Sequence, residues 1–136
     1  MTELRNVFDI GTRALSAQMQ RLNTTASNLA NAGTVSGTAD GAFRALRPVF
    51  VVDEAGPGTG LSAPRAARIV ALDRAPAQMF RPDHPQANAE GFVFEAAVRT
   101  EEEMVEMLDA SRHYQNTLES LSTLRALMAR TLTMGE

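Results

Sequence analysis

The chain has 136 residues, a net charge of −3 and no cysteine, which predicts one domain of ordinary size or one small domain with extensions. The lack of cysteine excludes disulfides, thiolate zinc sites, iron–sulfur clusters and cysteine nucleophiles. All thirteen basic residues are arginine, so lysine Schiff-base chemistry and phosphate binding by a P-loop lysine are excluded as well. The acidic balance argues against nonspecific binding to nucleic acid.

Residues 3–31 are predicted to form one helix, because they contain no proline and their large apolar residues recur every seven positions. These residues are Phe8, Leu15, Leu22 and Leu29, and the interleaved Thr12, Met19 and Ala26 complete an a/d-like seam. A polar face that includes Asn28 carries asparagine, threonine and serine, which lower helix propensity. We expect that face to bond to neighbouring chains or to serve a helix that must unfold.

The middle of the chain has a different composition, with all six prolines and turn-rich loops at 32–42 and 53–64. Short strands are predicted at 43–52, 68–73 and 91–98, and Pro48 makes part of the first an edge or a bend. We therefore expect a small β-rich region between two helices.

A second helix is predicted over residues 100–133, with Thr100 as N-cap and Glu103 completing a capping box. Its apolar seam is interrupted by Arg125 and runs through Met104, Met107, Ser111, Tyr114, Leu118, Leu121, Met128 and Leu132. A second apolar row of Leu108, Leu124 and Leu127 widens the seam. The fold class is therefore α+β, with long N- and C-terminal helices packed as a coiled-coil-like pair and a small β-rich domain inserted between them.

This layout leaves apolar helix surface that a middle region of about 60 residues is too small to cover. Long helices without tertiary partners are marginal in water, and exposed apolar faces mark interaction sites. We therefore expect the chain to associate with other chains.

Catalysis has little support in the sequence. The acidic residues at the start of the second helix, Glu102 and Glu106 among them, could serve a small carboxylate-dependent hydrolase or bind a hard metal. However, an acidic first turn also complements the helix dipole, and neither His84 nor His113 has a partner at a metal-ligand spacing. We favour the structural interpretation, with no cofactor, no metal and no small-molecule substrate.

Several motifs resemble those of bacterial flagellar rod and hook proteins. At the N-terminal end these are ALSAQ at 14–18 and ASNLANA at 26–32. At the C-terminal end they are EMVEML at 103–108, ASRHYQN at 110–116 and TLTMG at 131–135. The segment PDHPQANAEGFV at 82–93 and the short middle region resemble the proximal rod members, since distal-rod and hook relatives are longer there.

The resemblance implies a structural subunit whose helices, within 1–33 and 100–136, form the inner tube of a helical assembly, with the β-rich domain 34–99 outside. It implies a flagellar basal-body location spanning the periplasm, torque transmission, and a channel for exported subunits. The implied partners are copies of the chain, other proximal rod subunits, the membrane-ring junction protein, the distal rod protein and the flagellar type III export apparatus. Export without a cleaved signal peptide fits the first ten residues, which lack an apolar h-region.

Seam residues of both helices are the expected subunit interface: Phe8, Leu15, Met19, Leu22, Asn28, Leu29, Met107, Tyr114, Leu118, Leu121, Leu124, Met128 and Leu132. The alternative is a soluble helical export chaperone or adaptor, which also needs exposed apolar helices.

Overall fold

The computed structural model describes residues 2–54 and 62–134. Two long helices, α1 (Thr2–Asn31) and α2 (Thr100–Met134), flank five strands. The strands are β1 (Val35–Ser36), β2 (Leu46–Glu54), β3 (Ser62–Ala71), β4 (Ala77–Phe80) and β5 (Phe92–Glu95). The predicted α+β arrangement is confirmed.

The two helices pack against each other in antiparallel orientation. Near one end, the side chain of Asn28 bonds to Glu103, and further along Arg21 bonds to Glu106. At the next level, a Cβ atom on Gly11 would lie only 2.5 Å from Leu121 Cδ2. Residue numbers therefore fall along α1 as they rise along α2, and the Leu121 side chain packs directly on the α1 backbone at Gly11.

The buried face of α1 differs from the predicted seam. Thr12, Met19 and Ala26 are exposed, and the heptad residues Phe8, Leu15, Leu22 and Leu29 are only half-buried. The buried positions are small or polar: Gly11, Ala17, Thr24, Thr25 and Asn28. Helix α1 packs against α2 on one side and against β2 and β3 on another. Small residues allow these close approaches, and the leucine stripe lies to one side of the contact.

The inner face of α2, which packs on α1, follows two interleaved heptads of half-buried or buried residues. They are Glu103, Met107, Ala110, Tyr114, Thr117, Leu121, Leu124 and Met128. Met104, Leu118 and Arg125 are exposed outside this face. The predicted seam was therefore wrong at Met104 and Leu118, and Arg125 does not interrupt the packing. Leu132 lies in α2, but its side chain is outside the described residues.

The predicted capping box at the start of α2 is also wrong. The backbone N–H of Glu103 donates to the carbonyl of Arg99, which makes Arg99 the N-cap and Thr100 the first helical residue. The Glu103 carboxylate instead accepts bonds from Asn28 and Arg47. The sequence pattern misses this because tertiary partners outcompete the local cap.

The strands form two small antiparallel sheets, one of β1, β5 and β4 in that order and one of β2 and β3. In β2, Pro48 pairs with Ile69 of β3, next to a register shift between Val49 and Phe50, so its predicted edge position is confirmed.

Two sequence predictions were wrong. Strands β2 and β3 extend into the expected loop 53–64, because edge strands tolerate Pro64. The expectation also missed β4 and the short β1.

The described core is built mostly of small side chains. Its buried apolar residues are Ala17, Ala42, Ala45, Ala63, Val93, Ala96, Ala97 and Ala110. Four polar residues, Thr24, Thr25, Asn28 and Glu103, are buried alongside them. Such a core leaves much of the larger apolar surface uncovered. Within the part of the chain that the structure describes, neither helix is long and apolar enough to cross a membrane.

Candidate assembly interface

Helix α2 carries large apolar side chains that its own chain does not cover. Met104, Leu108 and Leu118 are 59, 54 and 50% exposed. They lie on one side of the helix, because spacings of four and fourteen residues are close to whole turns. We call these three residues the outer stripe. Exposed apolar residues along one helix are typical of an association surface, and fully burying each would contribute about 1.5–3 kcal/mol.

Twelve of the thirteen residues expected at subunit interfaces fall into three groups in the structure; the side chain of Leu132 is outside the described residues. Met19 and Leu118 are exposed and accessible to a partner. A second group is half-buried in the folded chain: Phe8, Leu15, Leu22, Leu29, Met107, Tyr114, Leu121, Leu124 and Met128. Asn28 forms the third group, since it is fully buried and all its described bonds are to residues of its own chain. Within the chain Asn28 therefore has an internal role, and its place in a subunit interface stays a prediction.

The acidic residues at the start of α2 are paired with arginines from other elements. Glu102 accepts bonds from Arg74 and Arg99, each within 2.9 Å. These bonds, above all the one from Arg74, lower the pKa of Glu102 below its ordinary value of 4.5.

Further along α2, Arg21 of α1 bonds to Glu106 at 2.7 Å and to Asp109 at 3.4 Å. Together with the Glu102 pairs, these contacts link α2 to α1 and the β region and leave the carboxylates charge-balanced. Among the described residues, no group of three or more His, Cys, Asp or Glu side chains is arranged to hold a metal. The described ion pairs fit a structural role for this acidic cluster, in which its carboxylates join α2 to α1 and to the β region.

A buried polar cluster joins α1, α2 and β2. The Asn28 amide nitrogen donates to Glu103 Oε2 at 2.9 Å, and Arg47 Nη1 donates to the same oxygen at 2.9 Å. Arg47 Nη2 lies 2.6 Å from Glu103 Oε1. Only 1% of the Glu103 side chain is exposed, and its bond raises the pKa of Arg47. A buried carboxylate with both oxygens paired is well accommodated.

Sequence reasoning missed three of these residues. It assigned Glu103 to a cap and gave Arg47 and Arg21 no role, because their partners lie 56 to 88 positions away. The available signal was the asparagine, threonine and serine face near the end of α1, because such residues lower helix propensity and suggest specific partners. Val105, which is 68% exposed, was also missed, since it belongs to no heptad row.

Comparison with known proteins places this arrangement in a family. A family model described as flagella basal body rod protein matches residues 8–36. The chain is 46% identical over 134 residues to the flagellar basal-body rod protein FlgC of Yersinia enterocolitica, covering 98% of both chains. It is 41% identical over 133 residues to the FlgC protein of Salmonella typhimurium, again covering 98% of both. The chain belongs to the FlgC family of flagellar basal-body rod proteins.

More distant FlgC sequences match over a similar span. The chain is 31% identical over 136 residues to FlgC of Aquifex aeolicus, and 96% of each chain is covered. The match to FlgC proteins therefore takes in the β region as well as both helices. The resemblance to flagellar rod proteins that the terminal motifs predicted is confirmed. The narrower resemblance to the proximal rod members, drawn from residues 82–93 and the short middle region, agrees with the match to FlgC proteins.

Proposed function

We propose that this chain is a structural subunit of the proximal rod of the bacterial flagellar basal body, where it assembles with copies of itself and with other rod proteins. The carrying observation is the match to FlgC rod proteins over 98% of the chain at 41–46% identity. The paired acidic residues of α2 fit a structural, noncatalytic role.

The exposed apolar residues of α2 support association as the mechanism. In a helical assembly, the outer stripe of one subunit would be covered by helices of neighbours, and α1 and α2 would form the inner tube. The β region would lie outside. This assigns 1–33 and 100–136 to the tube and 34–99 to the outer domain. The same arrangement would span the periplasm, transmit torque and enclose a channel for exported subunits.

Partners and export route follow from the same proposal. The membrane-ring junction protein and the distal rod protein would flank the proximal rod, and the flagellar type III apparatus would deliver the chain without a cleaved signal peptide. A chain whose helices are long and whose core is small suits delivery in an unfolded state, because most helix stability comes from packing after arrival.

The test is quantitative mass spectrometry of detergent-purified basal bodies from the source bacterium, before and after deletion of the gene and its return on a plasmid. We expect a fixed small number of copies per particle, loss of swimming on deletion, and recovery of both on return. Absence from basal bodies together with abundance in the cytosol would overturn the proposal and favour the adaptor alternative.

A further inference from the structure

The side chain of Asn28 takes the place of a neighbouring strand at the start of β2. Its amide oxygen accepts from the Leu46 N–H at 2.8 Å, and its amide nitrogen donates to the Leu46 carbonyl at 2.9 Å. On the opposite side of this chain segment, the Leu72 N–H donates to the Ala45 carbonyl, so the bond next to Leu46 is the one that faces β3. Both backbone groups that Leu46 turns away from β3 are therefore paired with one side chain of α1.

The same Asn28 nitrogen also donates to Glu103, so its amide is fixed in orientation by three bonds to two other elements. Glu103 in turn receives Arg47, the residue after Leu46. One closed set of bonds thus connects α1, α2 and β2. Removing Asn28 takes the acceptor from the Leu46 N–H, and removing Arg47 leaves the buried Glu103 carboxylate without its cation. Loss of a partner is costly for buried amides and more so for buried charges.

Apolar packing is non-directional, so apart from the contact of Leu121 with Gly11 it specifies the axial position of the helices less sharply than hydrogen bonds do. The buried positions along α1 repeat small residues such as Gly11 and Ala17, and the inner face of α2 repeats at heptad spacing. A pair of this kind can shift along its axis and still bury similar surface. A single buried polar residue is known to specify register in coiled coils at a cost in stability.

We propose that Asn28, Glu103 and Arg47 form a register lock, which fixes the axial position of α1 against α2 and makes both helices dock on the β2–β3 hairpin as one unit. Asn28 acts as a positioning residue in this lock. The inference concerns how the subunit folds and does not depend on the proposed rod function.

The experiment measures register directly with paired spin labels. Because the chain has no cysteine, labels can be attached at Thr12→Cys and Glu101→Cys alone, both at exposed positions. With Gly11 opposite Leu121, the two labels are offset by roughly 28 Å along the pair at a rise of about 1.5 Å per residue. A slip of one helical turn would change their separation by about 5 Å.

In the otherwise unmodified chain we expect one narrow distance distribution. In Asn28→Leu and in Glu103→Gln we expect a broader distribution or a second population shifted by about 5 Å, one turn. The matched control is Asn23→Leu, since Asn23 is exposed on the same helix and should leave the distribution unchanged. Narrow, unshifted distributions in both lock variants would overturn the proposal.

A charge exchange keeps the test decisive if Asn28→Leu does not fold. Asn28→Asp and Glu103→Gln, combined, return one amide and one carboxylate to the cluster with their positions exchanged. Each single change should lower the folded-to-unfolded ratio about tenfold in urea titrations of the full chain. The double variant should exceed the product of the single effects by about threefold or more, because the amide introduced at position 103 can donate to the carboxylate introduced at position 28. It should remain less stable than the unmodified chain, because a carboxylate at position 28 cannot donate to the Leu46 carbonyl. Strictly multiplicative effects would show that the three residues do not act as a unit.

Discussion

The two helices of this protein differ in how much large apolar surface they leave in solvent. Helix α1 buries polar side chains, including Thr24, Thr25 and the fully buried Asn28, because it packs against α2 on one side and the β2–β3 hairpin on another. Helix α2 packs on α1 and leaves the apolar outer stripe in solvent. The difference places α1 at the centre of the described fold, whereas α2 presents an exposed apolar surface. Four changes would break or sharpen this contrast.

The largest effect is expected from aspartate on the outer stripe. Leu118→Asp should change the free energy of unfolding by no more than about 0.5 kcal/mol, since the side chain is already half exposed, yet it should abolish rod assembly. Leu121→Asp, three residues away on the inner face, should impair both folding and rod assembly. Its free energy of unfolding should be lower by about 2–5 kcal/mol. Urea titration and a soft-agar swimming assay measure the two quantities.

Asn116→Asp is the control for added charge, because Asn116 is an exposed α2 residue outside the stripe. It should affect neither folding nor swimming. If Leu118→Asp cells swim normally, the outer stripe is not an interface.

The next effect concerns how closely α1 approaches α2. Gly11→Leu should lower the free energy of unfolding by about 1–3 kcal/mol, because the new side chain would overlap that of Leu121. Gly11→Ala should be nearly neutral: Leu121 can rotate aside, and alanine gains about 1 kcal/mol of helix propensity. Thermal or urea unfolding followed by helical circular dichroism measures both.

The second-site variant Gly11→Leu with Leu121→Ala should recover part of the loss, whereas Ala26→Leu, at an exposed α1 position, should change little. If the double variant lost as much free energy of unfolding as Gly11→Leu alone, the new side chain would not be overlapping that of Leu121.

A smaller effect is expected from the ion pairs that join the helices midway. Arg21→Met removes partners of Glu106 and Asp109, which are 40 and 51% exposed, and should cost up to about 1 kcal/mol. The difference from the unmodified chain should shrink in 1 M salt, where the screening length falls to about 3 Å. Urea titrations at low and high salt measure this, and a loss independent of salt would point to packing by the arginine stem.

The smallest effect is expected at the bonds between α2 and the β region. Because the folded state lowers the pKa of Glu102 through Arg74 and Arg99, the ionised carboxylate stabilises the fold at neutral pH. That stabilisation should fade as pH falls through the folded-state pKa, below the ordinary 4.5. Glu102→Gln should therefore be less stable than the unmodified chain at pH 7 and equal to it under strongly acidic conditions. A difference that persists at low pH would contradict this assignment.

Local patterns were sufficient to predict the helices and the family. The absence of proline and the seven-residue spacing from Phe8 to Leu29 predict α1, and the motifs at both ends predict the rod family. Orientation within the pair was not predictable. The large residues suggest the wrong buried face for α1. The positions that are buried there include Gly11 and Ala17, whose small side chains carry little hydrophobic signal.

The buried cluster was beyond sequence reasoning for a different reason. Glu103 has a favourable local use in a capping box, and only the fold shows that Arg47 and Asn28 compete for it. Strand β4 was missed because its four residues give too short a pattern to separate from the adjoining turns.

The antiparallel pairing of α1 with α2 has a consequence for the order of events along the chain. The polar contacts between α1 and α2 connect residues 75, 85 and 88 positions apart, so loops of that length must close before the helix pair forms. A helix that emerges early from a ribosome or an export channel must wait, and folding should be slow for the size of the chain. The subunit would then begin to fold to its final structure only once α2 is complete, and not when α1 first appears.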